Sequence, residues 1–130
     1  MESSTIPNIA EEFRTHRGLG NERIMEEDFL PIKRFFALDS RAYESGAISS
    51  KYKELMGLVA SAVLRCNDCI SYHLDRCISE GCSKEELNEA LNIALIVGGS
   101  IVIPHLRHAY SMIDGLFELQ KKGGAVLDIC

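Results

Sequence analysis

Residues 49–73, SSKYKELMGLVASAVLRCNDCISYH, decide the fold, because they join an apolar helix to a short polar turn and a second helix. After a serine cap at 49 or 50, helical spacing holds for Tyr52, Leu55, Met56, Val59 and Val63. No charge falls between Leu55 and Leu64. We therefore expect a helix buried nearly all round, in its own domain or against another subunit.

The chain before this segment is also typical of helices joined by short turns. Asn8 begins a capping box with Glu11 and opens a short helix that stops near two glycines at 18 and 20. Asn21 caps a second helix running toward Leu30. Pro31 suits the first turn of a third, which extends to about residue 43.

Helices also follow the segment, so the predicted fold class is all-α. The helix that carries the cysteines stops near Gly81, and residues 83–86 form a second capping box before the next helix. The pair Gly98-Gly99 ends that helix. A last one starts near Ser100, tolerates proline in its first turns and runs to the glycines at 123 and 124.

Length and composition suit one domain with a modest core, since the chain has 130 residues of which 46% are hydrophobic. We expect residues 1–30 to form an N-terminal helical arm, 31–124 the domain and 125–130 a tail. A net charge of −5 makes a nucleic-acid partner unexpected. The start resembles no export signal, and the most apolar stretch, 90–103, is too short and interrupted for a membrane span, so we expect a cytoplasmic protein.

Five cysteines without an export signal argue against a framework of structural disulfides and for working thiols. Cys66 and Cys69 form a C-x-x-C pair, in which one sulfur can attack a peroxide or disulfide and the other can resolve the product. If Cys66 opens its helix, the helix dipole and the charge of Arg65 favour a thiolate there. His73, one turn after Cys69, can move the thiol proton.

The spacing leaves open which sulfur attacks first, because the helix end favours Cys66 and the histidine favours Cys69. For Cys77 and Cys82 we expect ordinary packing, and for Cys130 simple exposure. A four-ligand zinc site on this helix is excluded, because the eleven residues from Cys66 to Cys77 rise by roughly 16 Å. A site that combines the first two or three of these ligands with His105 or His108 of the last helix stays open, but it needs a coincidence of packing, and we expect no metal and no bound cofactor.

The chain resembles the alkylhydroperoxidase D-like group of the carboxymuconolactone decarboxylase family. The pattern is a glutamate twelve residues before the first cysteine of C-x-x-C-x-x-x-H, met by Glu54, Cys66, Cys69 and His73. The likeness extends over about residues 34–119 and includes KELMGLVA at 53–60 and EALNIA at 89–94. It implies an all-helical subunit in trimers or hexamers and a thiol-dependent reduction of hydroperoxides.

By the same resemblance, Glu54 is the ultimate base and acts through His73, directly or through a water. For these residues to meet, the chain must reverse between Glu54 and Cys66, because a straight helix would hold them about 18 Å apart. Asp68 stands where the better-studied peroxidase of the group has a histidine. A carboxylate there is expected to raise the pKa of the neighbouring thiol.

The leading hypothesis is therefore a peroxidase or disulfide oxidoreductase acting on a hydroperoxide or a disulfide. An external dithiol, from a lipoyl domain or a thioredoxin-like protein, would reduce it again. His105 is predicted as a contact for an anionic substrate. The alternatives are the acid–base decarboxylation of the wider family, which uses no thiol pair, and a non-catalytic oligomer that senses redox state.

Overall fold

The protein is described by a computed structural model over residues 8–123, and the helices found there, with no strand among them, confirm the all-α prediction. Six α-helices and one 3-10 turn follow one another along the chain. They are α1 (Ile9–Glu26), α2 (Leu30–Ala42), α3 (Ser50–Val63), α4 (Asn67–Ser79), α5 (Lys84–Gly98), the 3-10 turn Ser100–Val102 and α6 (Ile103–Lys121).

Helix α1 is a single helix, so the predicted break at Gly18 and Gly20 and the new cap at Asn21 are wrong. A glycine inside a helix costs only about 1 kcal/mol, and the residues on either side of these two sustain the helix. The cap at Asn8 is confirmed. Its side-chain oxygen accepts hydrogen bonds from the backbone N–H groups of Ala10 at 2.7 Å and Glu11 at 3.2 Å.

The segment expected to be an arm is fastened to the rest of the described chain through α1. Ala10 is fully buried, and the Asn8 side chain donates a hydrogen bond to the carbonyl of Gly115 on α6. On α4, the carboxylate of Asp75 accepts two hydrogen bonds of 2.8 Å from the guanidinium of Arg14. Helix α1 therefore covers one side of α4 and α6.

The core lies between α3, α4, α5 and α6. Its largest fully buried apolar side chains come from all four helices and the 3-10 turn, and are Leu58, Ile70, Leu74, Leu87, Leu91, Val102, Met112 and Leu116. The predicted caps at Ser49 and Ser83 are confirmed, and the latter forms the complete capping box with Glu86. The predicted glycine end of α5 is also found, because Gly99 has a φ of 83°.

Helix α3 is buried on one side only, so burial all round within its own domain is a wrong expectation. Leu58 and Ala62 face the core, but Tyr52 and Met56 are about half exposed and Leu64 is 76% exposed. The apolar side chains of α3 and α5 that remain open line a groove of about 650 Å³.

Helix α2 begins as predicted, with Pro31 in its first turn, yet it contributes no buried residue. Phe35 and Leu38 are about two-thirds exposed. Among the helices of residues 8–123, none combines the length and the apolar character needed to cross a bilayer.

Candidate dithiol site

A tight reversal after α3 places the first cysteine. The N–H of Arg65 donates to the carbonyl of Ala62 at 3.1 Å, and the N–H of Cys66 donates to the carbonyl of Ser61 at 3.0 Å. These two bonds define a Schellman closure, with Arg65 in the left-handed region at φ 61°. The chain thus turns back between Glu54 and Cys66, as the predicted pairing of Glu54 with His73 requires.

Cys66 is the N-cap of α4, so the condition that Cys66 opens its helix is met. Its sulfur accepts a hydrogen bond from the backbone N–H of Cys69 at 3.3 Å. Both cysteines are free thiols, with Cys66 partly buried and Cys69 exposed. The first sulfur therefore lies at the positive end of the helix dipole, where a thiolate is stabilised.

The Cys69 thiol is hydrogen-bonded to the Cys66 sulfur, and this contact changes the pKa of Cys69. Burial, the bond to Cys66, the charge of Cys66 and the charge of Asp68 together raise the pKa of Cys69 to about 11. The direction predicted for Asp68 is thus confirmed at Cys69. Cys69 therefore keeps its proton near neutral pH.

Glu54 and His73 form a buried pair, and their side chains are 3% and 11% exposed. The imidazole Nδ1 lies 2.9 Å from Oε1 of Glu54. A carboxylate only accepts hydrogen bonds, so Nδ1 carries the proton in this contact. Nε of Arg76 lies 3.8 Å from the other carboxylate oxygen, which places a positive charge close to the buried Glu54.

The His73 ring is held between α3 and two tyrosines. A Cβ atom on Gly57 would lie 2.6 to 2.9 Å from three ring atoms, so the ring packs directly on the α3 backbone. The ring centroids of Tyr43 and Tyr72 are 5.4 and 5.1 Å from that of His73. These contacts fix the plane of the imidazole.

Sequence reasoning missed Gly57, although a glycine inside an apolar helix is itself a signal of close approach. It also missed the support from α1. The guanidinium of Arg17 lies 4.1 Å from the centroid of the Tyr72 ring, and Arg14 pairs with Asp75 two residues beyond His73. Nothing in the linear motif pointed to these residues.

Two histidines of α6 lie against the first turns of α4. His105 Nδ1 is 2.8 Å from the side-chain oxygen of Asn67, which lies between the two cysteines. His108 Nε2 is 2.7 Å from the hydroxyl oxygen of Ser71, and burial lowers the pKa of His108. The structure thus places His105 close to the pair, and its contact with a substrate stays a prediction.

The remaining cysteines lie away from this site. Cys77 and Cys82 are both buried, and Cys130 falls outside the described residues. Within residues 8–123, no three or more His, Cys, Asp or Glu side chains are grouped so that they could hold a metal ion.

A thiol pair at a helix start and a buried glutamate–histidine pair beside it characterise this helical chain. The carboxymuconolactone decarboxylase family matches it over residues 32–111. The chain belongs to the carboxymuconolactone decarboxylase family.

Similar proteins agree with this assignment. A crystal structure of a family member from Thermotoga maritima, described with a possible role in an antioxidative response, is 54% identical to this chain. It superposes with a TM-score of 0.83, covering 90% of this chain and 99% of that one. A Legionella pneumophila family protein, lpg0406, shares the fold with a TM-score of 0.73 at 23% identity, over 86% of this chain and 97% of its own.

A relative from Paracoccus denitrificans, named uncharacterized protein 4 in cox locus, is 26% identical over 80 residues. The matched region is 62% of this chain and 72% of that protein.

Proposed function

We propose that this protein is a thiol-dependent peroxidase or disulfide oxidoreductase in which Cys66 and Cys69 cycle between dithiol and disulfide. The observation that carries the proposal is the arrangement around α4. The Cys66 sulfur at the helix N-cap accepts a hydrogen bond from the backbone N–H of Cys69, and His73, paired with Glu54, follows Cys69 by one turn. The family likeness to a protein with a possible antioxidative role supports the same activity.

Cys66 is the attacking sulfur in this proposal. Its thiolate attacks the outer oxygen of a hydroperoxide, the O–O bond breaks, and the products are a sulfenic acid on Cys66 and an alcohol after the leaving alkoxide takes up a proton. Cys69, which holds its proton because its pKa is raised, serves as the resolving thiol. Its sulfur displaces the hydroxyl of the sulfenic acid, forming the disulfide and releasing water.

The Glu54–His73 pair supplies the proton transfer that the resolving step needs. His73 follows Cys69 by four residues on α4, about 6 Å of helix rise, and in this proposal its Nε2 takes the Cys69 proton directly or through one water. When Nε2 takes the Cys69 proton, the ring becomes an imidazolium, and the carboxylate of Glu54 at 2.9 Å stabilises that charge. The relay then returns the proton to the departing hydroxyl as water.

An external dithiol completes the cycle by reducing the Cys66–Cys69 disulfide through a mixed disulfide. A lipoyl group or a thioredoxin-like protein has the required chemistry. Because Cys69 is exposed, an outside thiolate can reach its sulfur. A cytoplasmic location, where thiols are kept reduced, suits this cycle.

The active form in this proposal is a homo-oligomer, a trimer or hexamer. The open groove between α3 and α5 carries no charged lining residue, and the apolar side chains of α2 are left uncovered within one chain. In a homo-oligomer, the apolar side chains of α2 in one copy can cover the groove between α3 and α5 in another copy. Light scattering that finds only monomers at micromolar concentration would contradict this part.

The activity is tested by steady-state reduction of an alkyl hydroperoxide with dihydrolipoamide as the dithiol. In a chain that also carries Cys77→Ala and Cys82→Ala, Cys66→Ser and Cys69→Ser should each lower turnover to the uncatalysed rate, since each removes one half of the disulfide. Cys130→Ser, which alters a cysteine outside the motif, should keep wild-type turnover. Wild-type turnover in either motif variant would refute the proposal.

A further inference from the structure

A second pair of thiols lies at the opposite end of α4. Cys77 is in the last turns of this helix and Cys82 lies just before α5, and they are 0% and 4% exposed. The N–H of Cys82 donates to the carbonyl of Cys77 at 3.0 Å, and that of Gly81 donates to Ile78 at 3.0 Å with Gly81 at φ 93°. In such a Schellman closure the two outer residues bring their side chains into contact.

The chemistry of this contact is asymmetric. The Cys77 thiol donates a hydrogen bond to the Cys82 sulfur, and this bond together with burial raises the pKa of Cys77. The same bond lowers the pKa of Cys82, assisted by the positive charge of Lys51 and opposed by burial and by Glu86 and Glu80. Lys51, on α3, is held nearby by its 3.0 Å ion pair with Glu86.

Packing alone would need only two small apolar side chains at these positions. What packing does not require is a sulfur that can carry negative charge beside a second sulfur that keeps its proton. An attacking and a resolving thiol differ in this same way, and in the first pair Cys69 likewise has a raised pKa.

We propose that Cys77 and Cys82 form a second, reversible dithiol–disulfide centre, oxidised by small hydroperoxides independently of Cys66 and Cys69. The Cys82 thiolate attacks the hydroperoxide and breaks the O–O bond, giving a sulfenic acid and, after protonation, an alcohol or water. The Cys77 sulfur then displaces the hydroxyl, releasing water and closing the disulfide. An external dithiol restores both thiols.

The two centres cannot exchange directly in the folded chain. Eight helical residues separate Cys69 from Cys77, a rise of about 12 Å, whereas exchange requires sulfur-to-sulfur attack. The second centre therefore does not depend on the proposed function of the first.

The sequence makes the test direct, because trypsin separates the thiols by site. Cleavage after Arg65, Arg76 and Lys84 puts Cys66 and Cys69 on peptide 66–76 and Cys77 and Cys82 on peptide 77–84. The full-length protein, in a Cys130→Ser background, is titrated with hydrogen peroxide and quenched with acid. Free thiols are alkylated in denaturant before digestion and mass spectrometry.

We expect oxidised peptide 77–84 to carry no alkyl groups and to be lighter than the unalkylated dithiol peptide by two hydrogens. If the oxidised protein is treated with dithiothreitol before alkylation, the peptide should again be doubly alkylated. A Cys66→Ser, Cys69→Ser double variant should show the same oxidation, which separates this centre from the first. Lys51→Gln should slow oxidation of peptide 77–84 severalfold and leave peptide 66–76 unchanged. Lys53→Gln, on the same helix, is the matched control and should change neither rate.

The proposal is overturned if peptide 77–84 stays doubly alkylated while peptide 66–76 is fully oxidised. It is also overturned if the double variant loses the second disulfide, or if peptide 77–84 gains only sulfinic acid. Circular dichroism at each point serves as a further criterion. Oxidation confined to samples that have lost their helical signal would contradict a centre in the native fold.

Discussion

Replacing Gly57 with alanine tests the contact that holds the His73 ring. The new Cβ would lie 2.6 Å from the ring, which must retreat by about 0.8 Å to reach an ordinary contact of 3.4 Å. Because Glu54 is on the same helix as Gly57, this retreat lengthens the Glu54–His73 bond from 2.9 Å toward about 3.7 Å. That distance is outside hydrogen-bond range.

The expected cost is about 100-fold in kcat/KM, the effect of a misplacement of about 1 Å in a reacting group, or roughly 2.7 kcal/mol of transition-state stabilisation. Alanine also improves helix propensity by about 1 kcal/mol, which partly offsets the loss of a buried, charge-assisted hydrogen bond. Gly57→Ala should therefore lose far more activity than stability.

The assay is hydroperoxide reduction with dihydrolipoamide, accompanied by urea unfolding of each variant. Gly20→Ala is the matched control, because it is also a helical glycine and its Cβ would meet nothing within 4 Å. The control should gain stability and keep its rate. A Gly57→Ala variant with activity within threefold of wild type would refute a positioning role for the imidazole.

Three further predictions follow from individual contacts. Asp68→Asn should lower the pKa of Cys69 and speed the alkylation of Cys69 by iodoacetamide at fixed pH. The increase should be at most about threefold, because burial and the bond to Cys66 cause most of the raised pKa. Asp68→Glu keeps the negative charge and should leave the alkylation rate unchanged. Arg14→Ala should lower the free energy of unfolding, measured in urea, by about 3 kcal/mol, because it leaves the buried Asp75 unpaired. Arg23→Ala breaks an exposed ion pair and should cost under about 1 kcal/mol. Equal losses in the two variants would contradict this prediction. Arg65→Gly should stabilise the fold by about 1 kcal/mol, because glycine adopts the positive φ of this position without strain. The same change removes a positive charge next to Cys66 and should slow the reaction of Cys66 with a hydroperoxide. A fall in melting temperature would contradict strain at residue 65.

The starts of helices could be predicted from the sequence where a side chain caps the helix. Asn8, Ser49 and Ser83 all bond the backbone N–H groups that their residue types predict. Cys66 does so with a sulfur, and its position could be inferred from the motif alone. Such caps are local interactions between residues two or three apart, so no tertiary information is needed to find them.

Other features depend on packing and were not readable. Gly18 and Gly20 are common helix breakers, yet α1 runs through both. Asp75 lies one turn beyond Ser71 and has an ordinary sequence context, but it is buried because Arg14 arrives from a distant helix. The closeness of Gly57 to the His73 ring likewise arises only from the crossing of α3 and α4.

The apolar surface shows a different limit. The sequence indicated that no charge interrupts the helix between Leu55 and Leu64, but it did not say whether the chain or another copy covers the second side. Within residues 8–123 that side remains open as the groove with α5. Hydrophobic periodicity indicates which side chains should be buried, and the folded structure shows which of them are buried by the same chain.

The central claim, that Cys66 and Cys69 exchange two electrons with a hydroperoxide, is tested most directly by a single turnover. Fully reduced protein is mixed anaerobically with one equivalent of an alkyl hydroperoxide, and the alcohol and peptide 66–76 are quantified together. We predict one alcohol formed for each Cys66–Cys69 disulfide in the Cys77→Ala, Cys82→Ala variant. Alcohol produced while peptide 66–76 keeps both thiols, or no alcohol at all, would contradict the account.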